Sequence, residues 1–393
     1  STYNPLDFFQ TGFNTMNSIA VSTGTETNQT HISFGAVNSE GIIDNNKYNR
    51  YNFTFRNSWD IVKNVLSMDM GLFYIKQNNQ NSNGQGMYYN PLVPIYLFPP
   101  SDDINKYAVY ERYDADRNFK TQYWPYGNQG LGMQNPYWII NRNMFNTDRD
   151  RYIISLSMKW NITNWLNIIG RARIDNAYTD FERKLYASTD GLFAKSQGNY
   201  MNQEDKNTST YLDFLVNVDK KFGENYHLLV NLGGSFYDEK YKSDTFEGNL
   251  VGVPNFFHPS NIPSTESNYN KSELHTQTQS IYGKAEIGYR NFLYADVTGR
   301  IDWFSTLVGT SKEYVCYPSA GLSVILSEIL PLPEKIISFW KIRGSYAQVG
   351  NPPSAYLPYA TVALENGNAT SANFTPASHL KPEMTKAFEF GMD

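Results

Sequence analysis

The chain has 393 residues, a formal net charge of −5, only 18% charged residues and 16% aromatic ones, among them 30 Tyr and 24 Phe. The acidic balance argues against a nucleic-acid binder, and one cysteine, Cys316, excludes an intramolecular disulfide framework and a multi-thiolate metal site. No run of about 18 apolar residues occurs, so no transmembrane helix is expected.

Along the chain the dominant signal is alternation of apolar and polar residues with period two, the mark of half-buried strands. Thirteen strands are expected, near residues 17–24, 29–37, 49–58, 62–76, 150–160, 165–179, 210–221, 226–240, 277–290, 292–304, 316–327, 340–350 and 384–393. Leu66, Met68, Met70, Leu72 and Tyr74 share one side of the fourth strand; Tyr152, Ile154, Leu156, Met158 and Trp160 share one side of the fifth. Later strands repeat the pattern, as in Leu228, Val230 and Leu232. The opposite side carries Arg171, Arg173, Asp219, Glu286, Arg300 and Asp302, a density of charge that fits water rather than a protein core.

The connections alternate in length. Tight turns are expected near 160–165, 222–226 and 289–292, and long polar segments at 77–149, 180–209, 241–276 and 351–384. Short turns at one end and long loops at the other are the pattern of a transmembrane β-barrel, whose strands run apolar outside and polar inside. Trp160, Trp165, Phe222 and Tyr226 flank the tight turns, where an aromatic girdle belongs. A soluble β-sandwich also has one apolar and one polar face, but long strands joined by such loops favour the barrel. The expected fold is therefore all-β: an antiparallel transmembrane β-barrel segment with long extracellular loops. Thirteen is an odd number for a bacterial single-chain barrel. No leader precedes Ser1 and Asp393 falls inside a strand, so residues 1–393 are expected to be part of one larger barrel domain.

Several stretches resemble one family. Asn4-Pro5-Leu6-Asp7-Phe8-Phe9, Ser39-Glu40-Gly41-Ile42-Ile43, Tyr317-Pro318-Ser319-Ala320-Gly321-Leu322-Ser323, Lys341-Ile342-Arg343-Gly344-Ser345-Tyr346 with Gly350-Asn351, and Leu380-Lys381-Pro382-Glu383-Met384-Thr385 are similar, in this order, to segments of SusC/RagA-type TonB-dependent transporters. Val324 departs from the pattern, standing where the family often has Trp. The resemblance implies a 22-stranded barrel of the bacterial outer membrane, with the plug domain and the C-terminal strands outside this chain. It implies TonB-driven import of oligosaccharides or, alternatively, peptides, beneath a SusD-like surface lipoprotein and surrounded by outer-membrane lipid and lipopolysaccharide. It implies no enzyme activity and no cofactor. A surface receptor or adhesin and a passive porin stay open as alternatives.

No nucleophilic triad or zinc motif is visible. The carboxylate pairs Asp102-Asp103, Asp114 with Asp116, and Asp148 with Asp150 read as solvated loop acids, and Asp114-Ala115-Asp116-Arg117-Asn118 lacks the Gly and distal Glu of a calcium loop. Ligand contact is better sought among the aromatics of the 77–149 segment. Rings stack on sugars, and the rigid turn around Pro125 can present Trp124 and Tyr126; Tyr88, Tyr89 and Trp138 complete the candidate set. Arg171, Arg173, Asp219, Glu286, Arg300 and Asp302 are expected to line the lumen.

Overall fold

The computed structural model describes residues 3–82, 88–127, 133–331, 337–360, 362–365, 367–371 and 379–393. Parts of the expected long loops, at 83–87, 128–132 and 372–378, lie outside the described residues. Among the described residues no helix is long and apolar enough to cross a membrane, which says nothing about strands.

The wall is one 13-stranded antiparallel sheet. Its strands are β1 (Phe13–Gly24), β2 (Asn28–Glu40), β3 (Lys47–Val62), β4 (Leu66–Gln80), β7 (Asn143–Asn161), β8 (Leu166–Tyr186), β9 (Gly198–Phe222), β10 (Tyr226–Asn249), β11 (Ser267–Tyr289), β12 (Leu293–Phe304), β13 (Tyr314–Ile325), β14 (Lys341–Asn351) and β17 (Glu383–Met392). Each pairs with the next wall strand in the chain. Two small hairpins sit in the loops: β5 (Glu111–Asp114) with β6 (Phe119–Gln122), and β15 (Val362–Glu365) with β16 (Asn368–Ser371). Two short helices, α1 (Leu92–Leu97) and α2 (Pro136–Arg142), lie in the loop between β4 and β7.

All thirteen expected wall strands are present, and the register carries their two faces across the sheet. Residues directly opposite in an antiparallel pair share a face. Met70 pairs with Leu156, which pairs with Ala172, then Leu212, then Phe236. One residue over, Gly71, Ser155, Arg173, Tyr211 and Tyr237 follow one another on the other face. The alternation written into each strand is thus one continuous apolar face and one continuous polar face.

Five of the six connections at one end are tight, through three residues at 25–27, 63–65, 223–225 and 290–292 and through four at 162–165, while the sixth, 326–340, is longer. Asn64 (φ 62°), Gly223 (φ 61°) and Asn291 (φ 61°) occupy the left-handed region that such reversals require, which Gly and Asn adopt at least cost.

At the other end the ladders outrun the expectation. The long segments expected at 180–209 and 241–276 shrink to loops at 187–197 and 250–266, because β8, β9, β10 and β11 reach 21, 25, 24 and 23 residues. A transmembrane strand needs only about 9–11 residues. Beyond the membrane both faces meet water, so alternation fades while backbone pairing continues.

Large buried side chains cluster in the loop layer rather than in the wall. Ile95, Ile104, Trp138 and Leu250 are enclosed there, while Leu212, Phe214, Leu232 and Val297 on the sheet are exposed. A single sheet has no second layer to make a core. Its apolar face is stable only against another apolar medium.

Candidate functional site

On the polar face, arginines and carboxylates pair both across and along strands. Arg171 (β8) donates from Nε and Nη2 to the two oxygens of Asp213 (β9) at 2.8 and 2.6 Å, and Tyr211 adds a third donor at 2.9 Å. The Asp213 side chain is fully enclosed by these partners. Arg151 (β7) makes the same two-pronged contact with Asp175 (β8) at 2.8 and 2.6 Å, and Arg173 joins at 3.0 Å. Arg300 donates to Asp302 at 2.7 Å and to Ser280 at 2.8 Å. Lys284 meets Glu286 at 2.9 Å, and His227 meets Asp219 at 2.7 Å. A planar guanidinium on a carboxylate is the strongest geometry these groups can adopt. A cavity of about 390 Å³ opens over this face, lined in part by Arg56, Asp69, Arg171, Arg173 and Tyr211.

The loop between β4 and β7 folds over the same face. Phe145 lies on the side of β7 that carries Arg151, and the Tyr89 ring packs against it at 5.5 Å between centroids. Phe193, from the β8–β9 loop, sits 4.7 Å from Tyr89 and 5.1 Å from Tyr88. Burial pushes the Tyr89 hydroxyl up to about 12.

The loop has its own core. Phe98, Ile104 and Tyr107 are buried, and Tyr3, Tyr123, Trp124, Tyr126 and Tyr137 pack on them. Trp124 and Tyr126 stand edge to face at 5.3 Å, and each also contacts Phe98 and Tyr107. Asp102 organises the centre. Lys106 Nζ donates to Oδ1 at 2.8 Å, and the Tyr107 and Tyr126 hydroxyls donate to Oδ2 at 2.6 and 2.7 Å. The Lys106 contact first, then the two phenols, hold the Asp102 carboxyl well below the usual carboxylate range, and the hydrogen bond to Asp102 in turn pushes the Tyr107 hydroxyl up.

A second hub is Asn135, which is fully buried. Its Nδ2 donates to the carbonyls of Tyr107 and Tyr123 at 2.9 and 3.0 Å, and its backbone N–H donates to Gln122 Oε1 at 2.7 Å. Its Oδ1 caps α2 by accepting from the Tyr137 N–H at 2.8 Å, with Pro136 in the first helical turn. Trp138, 1% exposed, donates its indole N–H to Thr189 at 3.1 Å and so ties this loop to the next.

A family model described as "TonB dependent receptor-like, beta-barrel" matches residues 97–393, well over half of the chain. The chain belongs to the TonB-dependent receptor β-barrel family. Among solved structures, the RagAB peptide importer in its "open-open" state matches with a TM-score of 0.80 at 15% identity over 99% of this chain. The ferric-catecholate import receptor Fiu from E. coli K12 matches at TM-score 0.57 and 12% identity over 98% of it. The P. aeruginosa receptor FpvA matches at 0.57 and 14%, also over 98%. At these identities the likeness is one of fold. The chain spans 42% of the RagAB chain, 55% of the Fiu chain and 45% of the FpvA chain. No curated protein sequence matches it.

TonB-dependent receptor barrels are outer-membrane proteins, and family and fold alike are those of transporters and receptors rather than enzymes. In such a barrel the continuous apolar face is the lipid face. Its aromatic borders fit the bilayer. Trp160 and Tyr152 lie eight residues apart on one face of β7, roughly 26 Å along the strand and about 20 Å across the membrane after a tilt near 40°. At the short-turn end Tyr226 packs on Tyr289 at 5.1 Å, and Lys220 lies 4.4 Å over Trp165.

The expected site residues separate into three environments in this receptor barrel. Trp124 and Tyr126 are brought together around Asp102. Tyr88 and Tyr89 meet at Phe193, and Trp138 is enclosed elsewhere in the loop layer with no ring face free. Arg171, Arg173, Asp219, Glu286, Arg300 and Asp302 all share the polar face. Sequence reasoning missed Asn135, although Asn-Pro is a helix-start signal, and Asp102, which was noticed only as half of an acidic pair. The Asp114 segment is the turn of the β5–β6 hairpin, with Asp114 accepting the backbone N–H groups of Asp116 and Arg117.

The Asp102 arrangement has a pH signature. Its folded value lies below its unfolded value of about 3.9, so its contribution to the loop core is complete above that value and fades as pH falls below it. Trp fluorescence of the loop should hold constant from neutral pH to about pH 4 and change only below. In Asp102→Asn that acid transition should disappear.

Proposed function

We propose that residues 1–393 are wall and mouth of a TonB-energised outer-membrane importer for an oligomeric nutrient, an oligosaccharide or a peptide, working beneath a SusD-like surface lipoprotein. The wall strands β1 and β17 each keep an open edge, which lipid does not tolerate. Further strands of the same domain close the barrel, and a plug occupies the polar side. Arg171, Arg173, Asp219, Glu286, Arg300 and Asp302 then line the lumen. Ligand meets the mouth at the accessible edges of Trp124 and Tyr126 and at Lys106.

The observation that carries this reading is the loop layer folded onto the polar face at Tyr89, Phe145 and Phe193. A passive porin needs an unobstructed aqueous path, whereas a covered mouth suits a gated, energised one. The match to a peptide importer supports the peptide reading. The aromatic loop supports the glycan reading, although the rings of Trp124 and Tyr126 are largely spent on each other.

The test is growth of a strain deleted for the parent gene, on defined glycans and on peptides as sole nutrient, with and without functional TonB. Import predicts growth on one class only when both gene and TonB are present. Uptake unchanged without TonB would overturn it.

A further inference from the structure

The basic side chains on the polar face of β3 to β8 have carboxylates beside them, except at one place. Arg151, Arg171, Arg173 and Arg183 each touch one. Arg56 (β3) and Lys159 (β7) have Asp69 diagonally opposite on β4, within reach of a long side chain. Arg50 (β3) and Arg149 (β7) have none. The register sets both opposite Gln77 of β4, so Arg50, Gln77 and Arg149 stand in one row across three strands. Val37 faces Arg50 from β2, and Thr179 faces Arg149 from β8. The diagonal positions on the same face are Gly35, Ser39, Ile75, Asn79, Ala177 and Phe181, none of them acidic. The acids of this face gather instead on β9 to β12, among them Asp213, Asp219, Glu239, Glu286, Asp296 and Asp302.

None of the three side chains in the row makes a hydrogen bond or ion pair among the described residues. The loop residues outside that set at 83–87 and 128–132 contain no Asp or Glu. Arg50 is exposed, and Arg149 is half-buried with its Nε enclosed and unpartnered. Two guanidiniums thus stand two strand spacings apart, about 10 Å, and one of them is partly stripped of water with no anion beside it. Such a charge is costly unless it is paired, and these strands supply no partner. The height of the row fits a mouth. Arg149 lies three residues beyond Tyr152, the outer aromatic border of β7, roughly 10 Å along the strand. Phe145, which carries the Tyr89 ring, stands four residues farther out on the same face. The row therefore lies between the membrane band and the loop layer, where an entering ligand passes.

We propose that Arg50, Gln77 and Arg149 form a subsite for a carboxylate of the imported ligand. The two long guanidinium side chains converge on its oxygens with charge-assisted hydrogen bonds, and the Gln77 amide donates between them. The carboxylate belongs to an acidic or C-terminal residue of a peptide, or to a uronic acid of an oligosaccharide. Each charge-assisted contact contributes at least roughly tenfold in affinity, so the two arginines together contribute on the order of 100-fold. The inference rests on the import reading and narrows its ligand to an acidic one.

The test uses the intact receptor, purified in detergent. One arm mixes it with a casein digest, free or with its carboxyls amidated; the other uses oligogalacturonate, free or methyl-esterified. Retained material is quantified by mass spectrometry. The wild type should retain the free-acid form of one mixture in excess over its blocked form, and the mixture that does so identifies the source of the carboxylate. Arg50→Gln/Arg149→Gln should lose that excess by about two orders of magnitude. Lys206→Gln/Lys242→Gln, which removes two positive charges from the opposite face, should keep it. Heat-modifiable gel mobility verifies that each variant is folded. No excess of free over blocked form in either mixture, or an undiminished excess in the arginine double variant, overturns the proposal. So does loss of the excess accompanied by new proteolysis of the plug, which would make the row a seat for that domain. Retention is read without TonB, so TonB-dependent growth judges the import reading separately.

Discussion

Leu232→Arg should cost the barrel roughly 2–4 kcal/mol, the range for a basic side chain on the lipid face near the bilayer midplane. Leu232 is 56% exposed and lies on the apolar face of β10, opposite Val216 of β9. It stands about midway between Tyr226 and Phe236, where the arginine is farthest from either interface. The adjacent residue, Asn231, points to the other face and donates to Asn217 at 2.6 Å. Asn231→Arg loses that one hydrogen bond and should cost about 1 kcal/mol or less. A urea titration of refolding into lipid vesicles measures both. Equal penalties for the two neighbours would mean that the faces are not as assigned.

Asn135→Ala should destabilise the loop layer by roughly 3–5 kcal/mol while leaving the wall folded. Three side-chain hydrogen bonds vanish, each worth about 1 kcal/mol net, and the carbonyls of Tyr107 and Tyr123 lose a buried donor. The cap of α2 goes with them. Asn135→Asp should be at least as damaging: it keeps the acceptor for Tyr137 but sets a carboxylate against two carbonyl oxygens. Limited proteolysis reads the result, with new cleavage expected between 81 and 142 and the remaining strands protected. Unchanged protease resistance would show that the loop does not depend on this hub.

These two residues mark where the sequence was legible and where it was not. The wall was legible because lipid on one side and water on the other force a period of two, and Leu228, Val230 and Leu232 display it. The ends of β8 to β11 were not, because residues such as Gln203, Glu204, Asp205 and Lys206 are polar on both faces once the strand leaves the membrane. Alternation therefore reported the edge of the lipid, not the end of the ladder. The tight turn at 223–225 could be read from Gly223, whose backbone conformation depends on its own chemistry, whereas the turn at 63–65 falls inside the expected strand 62–76 and was missed.

The loop site was legible only as a composition. An excess of Tyr and Trp between 77 and 149 indicated aromatic packing, but not which rings would be spent on each other. Trp138 is an example: its indole bonds Thr189, 51 residues away, and no local pattern encodes that distance. Asp102 likewise depends on Tyr126, 24 residues on. Such hubs need tertiary contacts before their role can be seen.

The central claim is that one face of this sheet meets lipid and the other water, residue by residue. Single cysteines placed in turn at positions 211 to 218 of β9, in a Cys316→Ser background of the intact receptor in its native outer membrane, test it most directly. Each is labelled with a fluorophore and exposed to a lipid-phase quencher and to a water-soluble one. Positions 212, 214, 216 and 218 should be quenched from the lipid, and 211, 213, 215 and 217 should be shielded from it. A uniform response along the strand, or the opposite phase, would contradict the account.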